Sequence, residues 1–86
     1  MKLVALIPET ERRYAILSTK VDVKKYFQDA YRMHLYVSNF ETWAAMSLIK
    51  ALFKANEICN YYREYNCNDS HFVSLGKYML RKHNLI

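Results

Sequence analysis

The sequence predicts a mostly helical α+β fold, in which an N-terminal β-hairpin packs with three helices. The first observation behind this prediction is the scarcity of turn residues, because one glycine and one proline among 86 residues favour long helices and short connections. The second is that apolar residues recur at helical spacing from residue 22 onward, whereas the two segments before it are short and rich in strand formers.

The hairpin is predicted from two short apolar segments, residues 3–7 and 13–19, with residues 8–12 as the loop. A second interpretation stays open for residues 8–19, in which Pro8 begins a helix with Glu9 and Glu11 in its first turn. We favour the hairpin, because residues 8–13 include no apolar side chain and a helix there would have nothing to bury for two turns.

The next helix is predicted to begin after Asp22 and to end near His34. Thr19 is an alternative cap, with Asp22 as its capping-box partner. Six residues share the inward arc: Val23, Tyr26, Phe27, Ala30, Met33 and His34. We interpret His34 as a hydrogen-bonded core residue. Three residues make the opposite face basic: Lys24, Lys25 and Arg32. Residues 35–37 are predicted to form a short extended link.

The longest helix is predicted over about residues 39–65, where Ser38 and Glu41 have the spacing of a capping box. One side of it carries a continuous apolar stripe, as expected for a core helix. The first half also carries a second apolar row on the side that should be solvated, which we call the apolar ridge: Trp43, Met46, Ile49 and Phe53. This half must be covered twice, either by the hairpin or by another molecule.

Residues 66–69 have the composition of a turn, and Ser70 is the predicted cap of a last helix that ends near His83. Four of its residues are predicted to face inward: Phe72, Leu75, Met79 and Leu80. Its outer face is again basic, with three cations: Lys77, Arg81 and Lys82.

The residues that could carry chemistry do not form a recognised site. Cys59, Cys67, His71 and His83 are the only soft metal ligands in proximity, and their spacing differs from that of structural zinc sites. Cys59 falls on the apolar stripe and is predicted to be a buried thiol. With almost no glycine, phosphate-binding loops are excluded. We therefore expect no metal, no cofactor and no enzymatic activity.

The chain is predicted to be a single domain over residues 1–86, with 52% hydrophobic residues, a formal charge of +5 and no membrane-spanning stretch. Two cysteines without a secretory signal favour the cytoplasm. The leading hypothesis is a non-enzymatic protein-interaction module that binds a protein partner, or a second copy of itself, through the apolar ridge. The alternative is a nucleic-acid-binding protein that uses the two basic faces, namely Lys24, Lys25 and Arg32 with Lys77, Arg81 and Lys82.

The size and the Tyr- and Asn-rich composition resemble the many short proteins of phages and mobile elements that bind a host macromolecule. That resemblance rests on no motif, and it implies an inhibitor or an adaptor.

Overall fold

The computed structural model describes residues 2–34 and 38–86, so the predicted link at 35–37 lies outside the described residues. A 3₁₀ segment, Lys2–Leu6, leads directly into the first of five α-helices found in the described part of the chain. The helices are α1 (Ile7–Ser18), α2 (Val23–Met33), α3 (Phe40–Leu52), α4 (Ala55–Glu64) and α5 (Asp69–Lys82).

The predicted β-hairpin is wrong, because residues 3–18 are helical and no strand occurs among the described residues. Pro8 lies in the first turn of α1 with Glu9, as in the alternative that we set aside. The argument against that alternative is the lack of apolar residues, yet Thr10 is fully buried there. Its hydroxyl donates to the carbonyl of Leu6 at 2.7 Å, so its polar atom is satisfied while its methyl group is removed from water.

Ion pairs with other helices replace apolar burial on the rest of this turn. Arg13 donates from both terminal nitrogens to the Glu57 carboxylate, at 3.0 and 2.7 Å, and its Nε donates to Glu9 at 2.8 Å. The hydrogen bonds from Arg13 hold the pKa of Glu57 down at about 2, with a further contribution from the backbone N–H of Lys54. At the other end of the fold, Glu11 binds Lys82 at 2.9 Å. Ion pairs therefore join α1 to α4 and α5.

The predicted long helix is in fact two helices, because α3 ends at Leu52 and α4 begins at Ala55. Phe53 between them is extended, with φ −128° and ψ 142°. No glycine or proline marks this break. Instead, Arg13 donates to the Leu52 carbonyl at 3.1 Å, and Glu57 accepts from the Lys54 N–H at 2.9 Å. Backbone groups at both helix ends thus have side-chain partners. Arg13 of α1 serves the end of α3, and Glu57 serves the start of its own helix, α4.

Helix caps follow the prediction for α2 only. The Asp22 carboxylate accepts from the Lys25 N–H at 3.0 Å, as expected. The capping box predicted at the start of α3 is wrong, since Asn39 precedes the helix with φ 66° and its side chain makes no capping bond. Glu41, the expected partner in that box, binds Arg81 on α5 instead, at 2.7 Å.

α5 begins one residue before the predicted cap. Asn68, rather than Ser70, precedes the helix, and its side-chain oxygen accepts from the Ser70 N–H at 3.0 Å. The turn predicted at residues 66–69 is present before it, with Asn66 at φ 47°, but it is shorter than predicted, since Asp69 already belongs to α5. The inward face is also confirmed, since its four predicted members are fully buried: Phe72, Leu75, Met79 and Leu80.

The core lies where α3 crosses α5, the most extensive contact between two elements of the described chain. Gly76 on α5 meets Ala45 on α3 there, and a Cβ at Gly76 would lie 2.4 Å from the Ala45 carbonyl oxygen. The two backbones therefore touch. This close approach brings together the buried residues of both helices, among them Leu48 and Leu75.

Candidate interaction surface

The structure divides the apolar ridge between core and surface. Ile49 and Phe53 are 0% and 3% exposed, so neither is available to a partner, whereas Met46 is half-buried and Trp43 is exposed. The Tyr61 ring lies edge-on to Phe53 with the centroids 5.7 Å apart. Arg13 lies over the same ring, 4.6 Å from its centroid. Side chains of α1 and α4 thus cover Phe53, for which the sequence left open whether the hairpin or another molecule is the cover.

Trp43 belongs instead to a set of exposed large apolar residues on α2, on α3 and just before α2, which we call the α2–α3 face: Val21, Tyr26, Met33 and Trp43. Their exposed fractions are 51% for Val21, 57% for Tyr26, 82% for Met33 and 41% for Trp43. Tyr26 and Met33 are seven residues apart and lie on the same side of α2. Trp43 and Ser47 are four apart on α3, and Ser47 lies across a groove from Tyr26.

This groove has a volume of about 260 Å³. Eight residues line it: Leu17, Val21, Val23, Tyr26, Phe27, Ser47, Leu48 and Ala51. A second groove of about 280 Å³ adjoins it and is lined by Arg13, Ile16, Leu17, Lys20, Ala51 and Leu52. Leu17 and Ala51 line both grooves, so the two are continuous.

Aromatic contacts fix the position of Trp43 on the face. Its ring centroid is 5.4 Å from that of Phe40 and 5.7 Å from that of His34, and Tyr31 lies edge-on to Phe40 at 5.3 Å. His34 is exposed, so its interpretation as a core residue is wrong. The exposed indole is held by neighbouring rings, which lowers the side-chain entropy that binding would remove.

The two predicted basic faces differ in how much charge they offer to a ligand. On α5, Arg81 binds Glu41 at 2.7 Å and Lys82 binds Glu11 at 2.9 Å, while Lys77 is half-buried. On α2, Lys24 and Lys25 are exposed and have no carboxylate within 4.0 Å in the described residues, and Arg32 lies 3.9 Å from Asp29. The α5 cations are therefore largely neutralised within the fold.

Neither groove is lined by the four candidate metal ligands, Cys59, Cys67, His71 and His83. Cys59 is exposed, contrary to prediction, and Cys67 donates its thiol to the Tyr61 carbonyl at 3.5 Å. His71 accepts from the Asn68 N–H at 3.1 Å, and His83 stacks on Tyr14 with the ring centroids 4.0 Å apart. Among the described residues, no three His, Cys, Asp or Glu side chains are placed to hold a metal ion.

The carboxyl and tyrosine groups with shifted pKa values lie outside the α2–α3 groove. The shifted carboxyl groups belong to the ion pairs of α1, as with Glu9, whose pKa is lowered by hydrogen bonds from Arg13 and Arg12. Burial raises the pKa of Tyr62 to about 12, and its hydrogen bond to Asp69 acts in the same direction. None of these groups lines the groove.

Sequence reasoning missed the α2–α3 face because it assigned Tyr26 and Met33 to the core arc of α2. Their spacing identified the correct face of α2. However, α3 makes its most extensive contact with α5, and α2 covers only part of α3. Of the six residues on the predicted inward arc, only Val23 and Phe27 are buried, so the arc is wider than the surface that the core covers.

No helix among the described residues is long and apolar enough to cross a membrane. Comparisons with protein-family models, with curated proteins and with solved structures find no match to this chain. The fold and the surface together define a small helical domain with an exposed apolar face.

Proposed function

We propose that this protein is a non-enzymatic protein-interaction module that binds a protein partner through the α2–α3 face. The observation that carries the proposal is the exposure of four large apolar residues, Val21, Tyr26, Met33 and Trp43. Two of them, Val21 and Tyr26, line the groove between α2 and α3. Trp and Tyr are the side chains that most often dominate binding energy at protein interfaces. An inhibitor or an adaptor would act through such a surface.

The proposed binding surface includes Trp43 of the apolar ridge but not its two buried members, Ile49 and Phe53. Trp43 remains, Met46 lies half-buried beside it on α3, and Tyr26 and Met33 supply the area that Ile49 and Phe53 cannot. Apolar surface removed from water contributes about 25 cal/mol per Å², so an exposed Met, Tyr and Trp on one face favour association.

Nucleic-acid binding is supported less well by the same geometry. Two of the three α5 cations, Arg81 and Lys82, already bind carboxylates of other helices. A phosphate would have to displace Glu41 or Glu11 from them, and each displaced carboxylate would repel it.

The test is site-specific photo-crosslinking in the cell that produces the protein. A benzophenone side chain at position 26 or 33 should crosslink to the same protein, whereas one at Tyr78, an exposed tyrosine on α5, should not. The Tyr26→Ser/Met33→Ser variant should lose that complex yet change its stability by less than about 0.5 kcal/mol per site, because both side chains are exposed. Tyr78→Ser is the matched control.

The proposal fails if positions 26 and 33 give no product beyond that at position 78, or if the complex survives the double substitution. Crosslinks to DNA or RNA at these positions would overturn it in favour of the alternative function.

A further inference from the structure

The break between α3 and α4 is bound on both sides by one side chain from another helix. Arg13 of α1 donates to the Leu52 carbonyl at 3.1 Å, just before the break. It also donates to the Glu57 carboxylate at 3.0 and 2.7 Å, just after the break. Its guanidinium lies over the ring of Phe53, 4.6 Å from the centroid. Both helix ends and the residue between them therefore contact Arg13.

The sequence at the break contains no helix-breaking residue. Residues 50–57 include neither glycine nor proline, and most of them are Lys, Ala, Leu or Glu, which favour a helix. Phe53 is extended, with φ −128° and ψ 142°. Lys54 already has a helical φ of −73° and departs from a helix only in its ψ of 154°. The backbone of these two residues alone separates the observed break from one continuous helix over residues 40–64.

A continuous helix would satisfy the backbone without Arg13. The N–H groups of residues 54–57 would each bond to the carbonyl four residues earlier, whereas the Lys54 N–H now donates to Glu57 at 2.9 Å. The Leu52 carbonyl would accept from one of these N–H groups. Positions 52 and 57 would lie on different sides of that helix, about 140° apart, so Arg13 could no longer bind both.

The chain could not keep its own core contact in this straight form. Gly76 of α5 packs on Ala45 of α3, and the chain reaches α5 past Tyr65 at the end of α4. Along a continuous helix, Tyr65 would lie about 30 Å from Ala45. An extended link from Tyr65 to Asp69 and the first two turns of α5 together span at most about 25 Å. The Gly76 contact would therefore have to be made by another chain.

We propose that residues 53–54 form a hinge that Arg13 holds closed, and that the chain with an open hinge pairs with a second copy by exchange of α4 and α5. In this dimer, α3 and α4 of each copy form one helix, and α5 of each copy packs on α3 of the other. Exchange reuses the contacts already present within one chain, and short connections between elements favour it. The inference does not depend on the proposed function.

The experiment measures the dimer fraction after refolding from urea at high protein concentration, by size-exclusion chromatography with light scattering. We expect a minor dimer of the wild-type chain and a several-fold larger dimer fraction for Arg13→Gln, which loses the contacts on both sides of the hinge. The Cα chemical shifts of Phe53 and Lys54 should be helical in the dimer and extended in the monomer.

Ala55→Pro is the matched control, because it disfavours only the continuous helix. Ala55 is exposed and is the first residue of α4, after the extended Lys54. A proline is tolerated at this first helical position. Inside a continuous helix, it would remove a hydrogen bond and clash with the preceding turn. Arg13→Gln/Ala55→Pro should therefore return to the monomer.

The ion pair between Glu41 and Arg81 distinguishes exchange from other dimers, because it would join different chains. An Arg13→Gln chain with Glu41→Arg and another with Arg81→Glu each place like charges at this contact within one chain. The two chains complement each other in an exchanged dimer. Refolded together, they should form more mixed dimers than random pairing gives, as counted by native mass spectrometry.

Each outcome supports or refutes the hinge. If circular dichroism shows that Arg13→Gln is unfolded, the wild-type dimer and its loss in Ala55→Pro provide the test. A dimer that persists with Ala55→Pro, or in which Phe53 stays extended, would refute the proposal. So would wild-type and Arg13→Gln chains that both remain folded monomers. Mixed dimers in the random proportion would refute the exchange of α4 and α5.

Discussion

Gly76→Ala tests the close crossing of α3 and α5 on which the whole arrangement depends. An added Cβ would lie 2.4, 2.7 and 2.8 Å from the oxygen, carbonyl carbon and Cα of Ala45, whereas real Cβ contacts are essentially never below 3.0 Å. The helices must therefore separate by several tenths of an ångström. Because the contacted atoms are backbone, no side-chain rotation can relieve the overlap.

The magnitude follows from two opposing effects. Alanine favours the helix over glycine by about 1 kcal/mol, which would stabilise the variant if the site were open. Overpacking costs roughly 1–3 kcal/mol and occasionally more, and a gap of 0.5–1 Å forfeits about a quarter to a half of each contact along the crossing. The buried residues there include Leu48, Leu75 and Met79. We expect a net loss of about 2–4 kcal/mol from a total near 5–15 kcal/mol.

The assay is urea and thermal unfolding followed by circular dichroism. The melting temperature should fall by about 10–25 °C, since each kcal/mol corresponds to roughly 4–8 °C in a domain of this size. Ser74→Ala, at an exposed position of the same helix, should change stability by less than about 0.5 kcal/mol. Ala45→Gly should not rescue Gly76→Ala, because it removes none of the three contacted backbone atoms. A Gly76→Ala variant as stable as the wild type would refute the crossing.

Two further predictions concern the ion pairs and caps. Glu57 has its pKa lowered from 4.5 to about 2 by Arg13, so its contribution to stability is complete above pH 4.5 and is lost as the pH falls through 2. Glu57→Gln should therefore be less stable than the wild type at pH 7, and the difference should shrink between pH 4.5 and 2 in urea titrations; a constant difference would contradict the ion pair. Asp22→Ala should destabilise the protein by about 1 kcal/mol through loss of the α2 cap, whereas Asp29→Ala, an exposed acid on the same helix, should have a smaller effect in the same melts. Equal effects of the two aspartate substitutions would count against the cap.

The sequence by itself determined the features that depend on local spacing. The period of apolar residues placed α2 and α5 nearly at their observed ends, and it identified the buried face of α5, including Leu75 and Met79. The Asp22 cap could also be predicted from the sequence, because a capping side chain accepts a hydrogen bond from a backbone N–H only three residues away.

The errors arise where the binding partner of a charged side chain or of a helix end is a residue distant in the sequence. Residues 8–13 carry no apolar side chain by which the sequence could place a helix, yet they belong to α1, where Arg13 binds Glu57, 44 residues away, and Glu11 binds Lys82 and His83. The same arginine stabilises the break after Leu52, which neither glycine nor proline announces.

Only the tertiary structure decided which apolar residues remain exposed. Ile49 and Trp43 belong to the same ridge in the sequence, but Ile49 is buried and Trp43 stands on the surface. The physical reason is that exposure depends on how closely helices approach, and the Gly76 contact draws α5 onto α3 while α2 stays farther away. Amphipathic spacing states which side of a helix is apolar, whereas the neighbouring helices determine how much of that side is covered.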